Sequence, residues 1–381
     1  MIGGASTAVS PTRRLPCELD NDRERARRIS AVIRFSEARL RKRFPILEQQ
    51  NLIGVTILCL SATTFIASSV LYIQGLIPAW LCVVVNAVCA SILHELEHDL
   101  IHNLYFNRRP VAQNLMLACV WMFRGNIINP WYRRKLHLLH HKVSGQQTDV
   151  EEQLIGNGQP YGLLRVVSTF DGILSTLLRG RQLSKIPGYD DRRLALATMP
   201  CMVLFMLSWY AWLIYHTSSG AAMLIGVTIP WPTWVETAMP VLNVVAVVYL
   251  IPNVIRQASI NIVSSSMHYF GDVEGIVDQT QVLNCWYFWP LQLFCMNFGS
   301  THGIHHFVVS QPFYLRQMVA GIAHLAMRKY GVRFNDLGTF RRANRIHAQV
   351  TQSTPTAYVE RRMSRPMLKT VPDGVIRSAS N

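Results

Sequence analysis

Between Gln49 and Leu93 the chain carries no Asp, Glu, Lys or Arg, and between Leu194 and Ile255 it carries one, Glu236. Apolar runs of that length leave few options. About 20 apolar residues at ~1.5 Å each cross a bilayer core, and in lipid a lone segment satisfies its backbone only as helix. The first run accommodates spans at 52–73 and 76–93, turned at Gly75 and Pro78. The second accommodates 194–215 and 239–263, joined through Pro230, Trp231, Pro232 and Trp234, an interfacial aromatic pattern. The expected fold is an all-α integral membrane protein, with four transmembrane helices in two hairpins. Its expected divisions are a basic N-terminal arm at 1–48, a membrane domain at 49–347 and a disordered tail at 348–381, rich in Ser, Thr, Pro and Arg.

All 37 Lys and Arg residues fall outside these runs. The positive-inside rule therefore places the arm, the segment between hairpins and the C-terminal region in the cytoplasm, of a bacterial inner membrane or an endoplasmic reticulum. The net charge of +15 is explained by orientation and anionic lipid, and no nucleic-acid motif is visible. Nine basic residues between Asp20 and Phe44 alternate with Ile29, Val32, Ile33 and Leu40, as in a helix lying on the inner surface. The short apolar stretch 221–229 prolongs the third span or re-enters. The aromatic stretch 286–298, interrupted by Pro290, is read as half-buried, with a fifth span as the competing reading. Eight scattered cysteines without a CxxC pair fit small core residues in a reducing compartment.

Ten of the 13 histidines are concentrated in HELEHDLIH (His94, His98, His102), HLLHH (His137, His140, His141), MHY (His268) and HGIHH (His302, His305, His306). Residues three and four apart share a helix face, so each cluster can converge on one point. Neutral imidazole is the commonest protein metal ligand, and ten exceed what one tetrahedral zinc can use. The pattern points to a polynuclear site. His216, His324 and His347 stand alone and read as structural. Glu95, Glu97, Asp99, Asp149, Glu151, Glu152 and Asp272 are candidates to orient imidazoles through the ring N–H not bound to metal. For the distant clusters to meet, the hairpins must pack under a cytoplasmic helical cap that carries them.

HDLIHNLYF, HLLHH and HGIHH, in this order around two hairpins, resemble the three histidine boxes of the membrane-bound fatty acid desaturase and hydroxylase superfamily. His268 resembles the extra histidine placed ahead of the last box. The resemblance covers roughly 52–325. It implies a non-haem di-iron centre that uses O2 and external electrons to attack an unactivated C–H bond of a lipid acyl chain. Desaturation is the leading expectation; hydroxylation of a fatty acyl, alkane or other lipid is the alternative. The first box has one histidine too many, since HELEH and HDLIH both satisfy HxxxH, so either His94 or His102 is the non-ligand.

Two rivals come from other classes. His94-Glu95-Leu96-Glu97-His98 also fits HExxH, the zinc motif of an intramembrane metalloprotease, which would leave both HxxHH clusters unexplained. A metal carrier would hold its site nearer the bilayer midplane. No haem-binding or rubredoxin-type segment is present, so electrons are expected from a separate ferredoxin, rubredoxin or small cytochrome. The basic face at Arg133, Arg134 and Lys135 is its expected dock.

Overall fold

The structure, a computed structural model, describes residues 16–273 and 275–347. The tail expected to be disordered lies outside the described residues. What is described is helical, with isolated β-bridges at His268–Thr280 and Val282–Phe334.

The amphipathic N-terminal segment forms α1 (Pro16–Arg43), and the first apolar run forms α2 (Gln50–Ile73) and α3 (Ala79–Ile101). α3 starts directly after Pro78, which stands in extended backbone as its N-cap, at ψ 154°. α3 continues past the apolar run through the whole first histidine cluster. It carries exposed surface near Trp80 but is buried from Leu93 to Ile101. α4 (Pro110–Phe123) returns against α3, and α5 (Pro130–Val143) carries the second cluster. The short helices α6 (Val150–Leu154), α7 (Leu163–Phe170) and α8 (Gly172–Leu183) follow.

The third span departs from expectation. The apolar run from 194 does not form one straight helix but α9 (Asp191–Thr198) and α10 (Cys201–Leu224), bent by 73°. Pro200 causes the break: it lacks an N–H and pushes Met199 into extended backbone, at ψ 146°. α10 also absorbs Ala221–Leu224, so the 221–229 stretch prolongs the span in part. The fourth span is longer than expected. α11 (Thr233–Val245), a π-helical stretch at Ala246–Leu250 and α12 (Ile251–Met267) together make 35 residues. Arg256, fully buried, lies inside this span, as the expected bounds 239–263 require, one residue past the end of the charge-poor run. Among the described residues three helices are long and apolar enough to cross a membrane, or four if the bent pair counts as one span. These helices are those of an all-α membrane protein.

The aromatic stretch forms only short turns and α13 (Trp289–Leu293), so no fifth span exists among the described residues; Trp286 and Trp289 are exposed. α14 (Phe298–Phe307) carries the third cluster and α15 (Phe313–Lys329) packs behind it. The expectation of a surface-lying N-terminal helix is corrected in part. Ala26, Ile29 and Ile33 of α1 are buried against Ile304, Phe307, Val319 and Ala323, because one apolar face at helical spacing finds α14 and α15 to cover it.

Candidate metal centre

Nine of the clustered histidines come together at one end of α3, α5, α12 and α14. His98, His102, His137, His141 and His305 bring one ring nitrogen each within 4.8 Å of one another, and so do His140, His268 and His306. His302 stands beside both groups, its ring 5.4 Å from His98, 5.2 Å from His268 and 5.0 Å from His306. His216, His324 and His347 lie apart; His324 binds the Ser300 carbonyl at 2.8 Å and His216 faces Asn243.

The residues fit metal. His305 Nε2 lies 3.0 Å from both His102 Nε2 and His141 Nε2, and His141 Nε2 lies 3.2 Å from His137 Nε2. Nitrogens each ~2.1 Å from one ion and at right angles to each other would be about 3.0 Å apart. An N–H···N hydrogen bond accounts for one such pair, but in the row His137–His141–His305–His102 one proton would have to serve two acceptors at once. Among the described residues both ring nitrogens of His98, and Nε2 of His268 and His306, are buried without a hydrogen-bond partner, which in a metal-free core is costly.

The other nitrogens are anchored. His137 Nδ1–H donates to Glu151 at 2.9 Å, His140 Nδ1–H to Asp149 at 2.8 Å and His268 Nδ1–H to the Ser264 carbonyl at 2.9 Å. His306 Nδ1–H reaches Gln279 Oε1 at 3.0 Å. Each anchor turns Nε2 toward the other histidines, the arrangement that orients a metal ligand. Gln279 and Ser264 were not read from the sequence, since neither belongs to a histidine motif.

Electrostatics follow burial. Burial holds His102 down to about 2 and His268 down to about 3, with neighbouring imidazoles adding to it. Burial also keeps His302, His305 and His306 well below the ordinary range. His140 is the exception. Burial opposes its charge, but Asp149, with Glu151 and Glu152 beyond, outweighs that and raises it to about 10.

Four of the acids proposed to orient imidazoles do something else. Glu97 bonds Arg124 and, at 2.6 Å, Arg133. Glu95 and Asp99 bond Arg316 at 3.1 and 3.0 Å, and Asp99 also accepts from the Phe313 amide and Tyr105 hydroxyl. Buried carboxylates take the strongest cation in reach, and here guanidinium outbids imidazole. Asp272 caps the backbone N–H groups of Ile346 and His347 and leaves His268 to Ser264. The expected basic dock also shrinks. Arg133 serves Glu97, Arg134 Nη2 donates to the Leu100 carbonyl at 2.8 Å, and Lys135 remains exposed.

His94 joins neither group; its Nδ1 lies 2.6 Å from Arg124 Nη2. A zinc protease would need His94 and His98 on one ion, and here they face different partners. Beside the histidines opens a cavity of about 640 Å³, lined by His98, His137, His140, His268 and His302 on one side. Apolar side chains, among them Phe170, Leu177, Phe205, Met206 and Trp209, make up much of the rest, with Arg133, Glu151, Asp171 and Asn261 among the polar ones. Comparison with curated proteins returns no match. The family model described as fatty acid desaturase matches residues 75–338, a span that holds every clustered histidine, and the chain belongs to that family.

Proposed function

We propose that this protein is an O2-dependent desaturase of lipid acyl chains whose metal site is a pair of irons. A desaturase- or hydroxylase-type function goes with the family. The observation that carries the finer reading is the cavity: one continuous space runs from the ligand histidines to the apolar side chains of α10. A chain of methylenes matches such walls, and the apolar lining keeps water from the reacting carbon.

His98, His102, His137, His141 and His305 would hold one iron, and His140, His268 and His306 the other, with the His302 ring packed against members of both groups. A di-iron pair supplies the activation of O2 and the abstraction of hydrogen from an unactivated carbon. The chain's own residues do the rest. Glu151, Asp149, the Ser264 carbonyl and Gln279 hold the Nδ1 protons in place, so each ring meets metal through Nε2. Nitrogen ligands alone leave room at the metals for O2 and suit iron better than magnesium or calcium. Two membrane hairpins would carry the helical cap on the cytoplasmic side, where a separate ferredoxin, rubredoxin or small cytochrome supplies electrons.

The test is lipid profiling of a lipid-defined host that expresses the chain, with His141→Ala as control, beside metal analysis of the purified protein. Loss of two hydrogens from host acyl chains, absent in the control, supports desaturation; gain of one oxygen supports hydroxylation. Full activity without iron, or an identical lipid shift from His141→Ala, overturns the reading.

A further inference from the structure

One histidine of the first cluster lines the cavity without joining either ligand group. His94 sits one helical turn ahead of His98 on α3, and its Nδ1 is 2.6 Å from Arg124 Nη2. A guanidinium can only donate. His94 Nδ1 is therefore the acceptor, and the neutral ring carries its proton on Nε2. The lock is firm, because Arg124 is fully buried and its other arm is held by Glu97, which Arg133 holds in turn.

Two consequences follow. Metal at Nε2 would require an imidazolate, since both ring nitrogens would then be engaged as acceptors; a neutral ligand histidine keeps one N–H. And with Nδ1 taken, the only polar atom His94 can offer the cavity is a donor. Arg124 borders the cavity but is itself fully buried, so it fixes the ring while His94 supplies the donor. The spot adjoins the metal site: His94 packs edge-on to Phe298 at 6.2 Å, and Phe298 stacks on His302 at 4.0 Å.

We propose that His94 is a positioning residue rather than a metal ligand, donating Nε2–H to an oxygen of the substrate while Arg124 fixes its tautomer. The substrate class that fits is an acyl chain bearing a carboxylate or carbonyl oxygen, as opposed to a plain hydrocarbon. This rests on the lipid-oxidising reading, but its test does not use turnover.

Iron-loaded protein in lipid nanodiscs is challenged with palmitic acid, methyl palmitate and hexadecane, each competing for a bound fluorescent polyene fatty acid. Methyl palmitate should compete at least about tenfold better than hexadecane, the worth of one buried hydrogen bond. A further gain for palmitic acid identifies a carboxylate as the natural acceptor, and parity between acid and ester identifies a carbonyl. His94→Phe should erase the preference over hexadecane and keep its iron, whereas His94→Gln, which restores an N–H donor, should keep both. Equal competition by hexadecane in the wild-type protein overturns the proposal, as does loss of iron in His94→Gln. The wild-type series stands even where a variant does not fold. Failure of the oxidation reading would appear separately, as absent product with the ligand preference intact.

Discussion

His102 and His305 stand 203 residues apart in the chain, and their Nε2 atoms are 3.0 Å apart in space. That approach makes His305 the hinge of the larger ligand group, since the same atom also meets His141. His305→Ala is expected to drop bound iron from about two per chain to about one or less, and with it O2-dependent lipid oxidation. Metal analysis of the purified variant checks this. Retention of the full iron content would remove His305 from the site.

Asp149 and Asp272 were equal candidates by sequence, and the structure separates them. Asp149 holds His140 Nδ1 at 2.8 Å, while Asp272 caps backbone amides. Asp149→Asn should weaken metal binding roughly 10- to 100-fold, as loss of an anchoring carboxylate does at other histidine sites. Asp272→Asn should leave metal affinity unchanged. Competition against a chelator of known affinity gives both values, and equal losses would contradict the assignment.

Acidity should act on the metal-free protein with two opposite signs. His140 is raised to about 10, so its charge stabilises the fold fully below the ordinary value of 6.5, and that contribution is lost as pH rises through 10. His102 and His268 are depressed, to about 2 and about 3. Below pH 6.5 the unfolded chain takes up protons these rings refuse, so stability falls with pH by about 1.4 kcal/mol per unit for each ring. Metal-free protein should therefore unfold progressively below pH 6.5. Metal binding at pH 7 should release about one proton, from His140, and Asp149→Asn should shrink that release. Titration calorimetry in buffers of different ionisation enthalpy counts the proton.

What the sequence could show was whatever depends on local pattern. Long charge-free runs revealed the spans, and three- and four-residue spacing revealed which imidazoles share a face. What it could not show was which distant group arrives opposite. Glu97 and Glu151 look alike beside their histidines, yet Glu97 is met by Arg124 and Glu151 by His137. A signal was present: Arg124 ends an apolar helix and Arg256 lies inside one, where a cation persists only with a buried partner. The break at Pro200 was equally visible as a proline, but an apolar run on both sides concealed it.

The N-terminal helix supplies the remaining test, because it touches the site only through packing. Ile29 and Ile33 are fully buried against Ile304 and Phe307, and Ser30 Oγ–H donates to the Phe307 carbonyl at 3.0 Å. Those contacts fall on α14, which carries His302, His305 and His306. Ile29→Ala removes methyl groups from a filled core and should cost about 2–5 kcal/mol. Phe35→Ser, on the exposed face of the same helix, should cost within about 0.5 kcal/mol. Thermal unfolding in detergent gives the ranking, and iron retention on dialysis should follow it, falling in Ile29→Ala alone. Were Phe35→Ser to lose iron as readily, α1 would act through its exposed face and not as a brace for the third cluster.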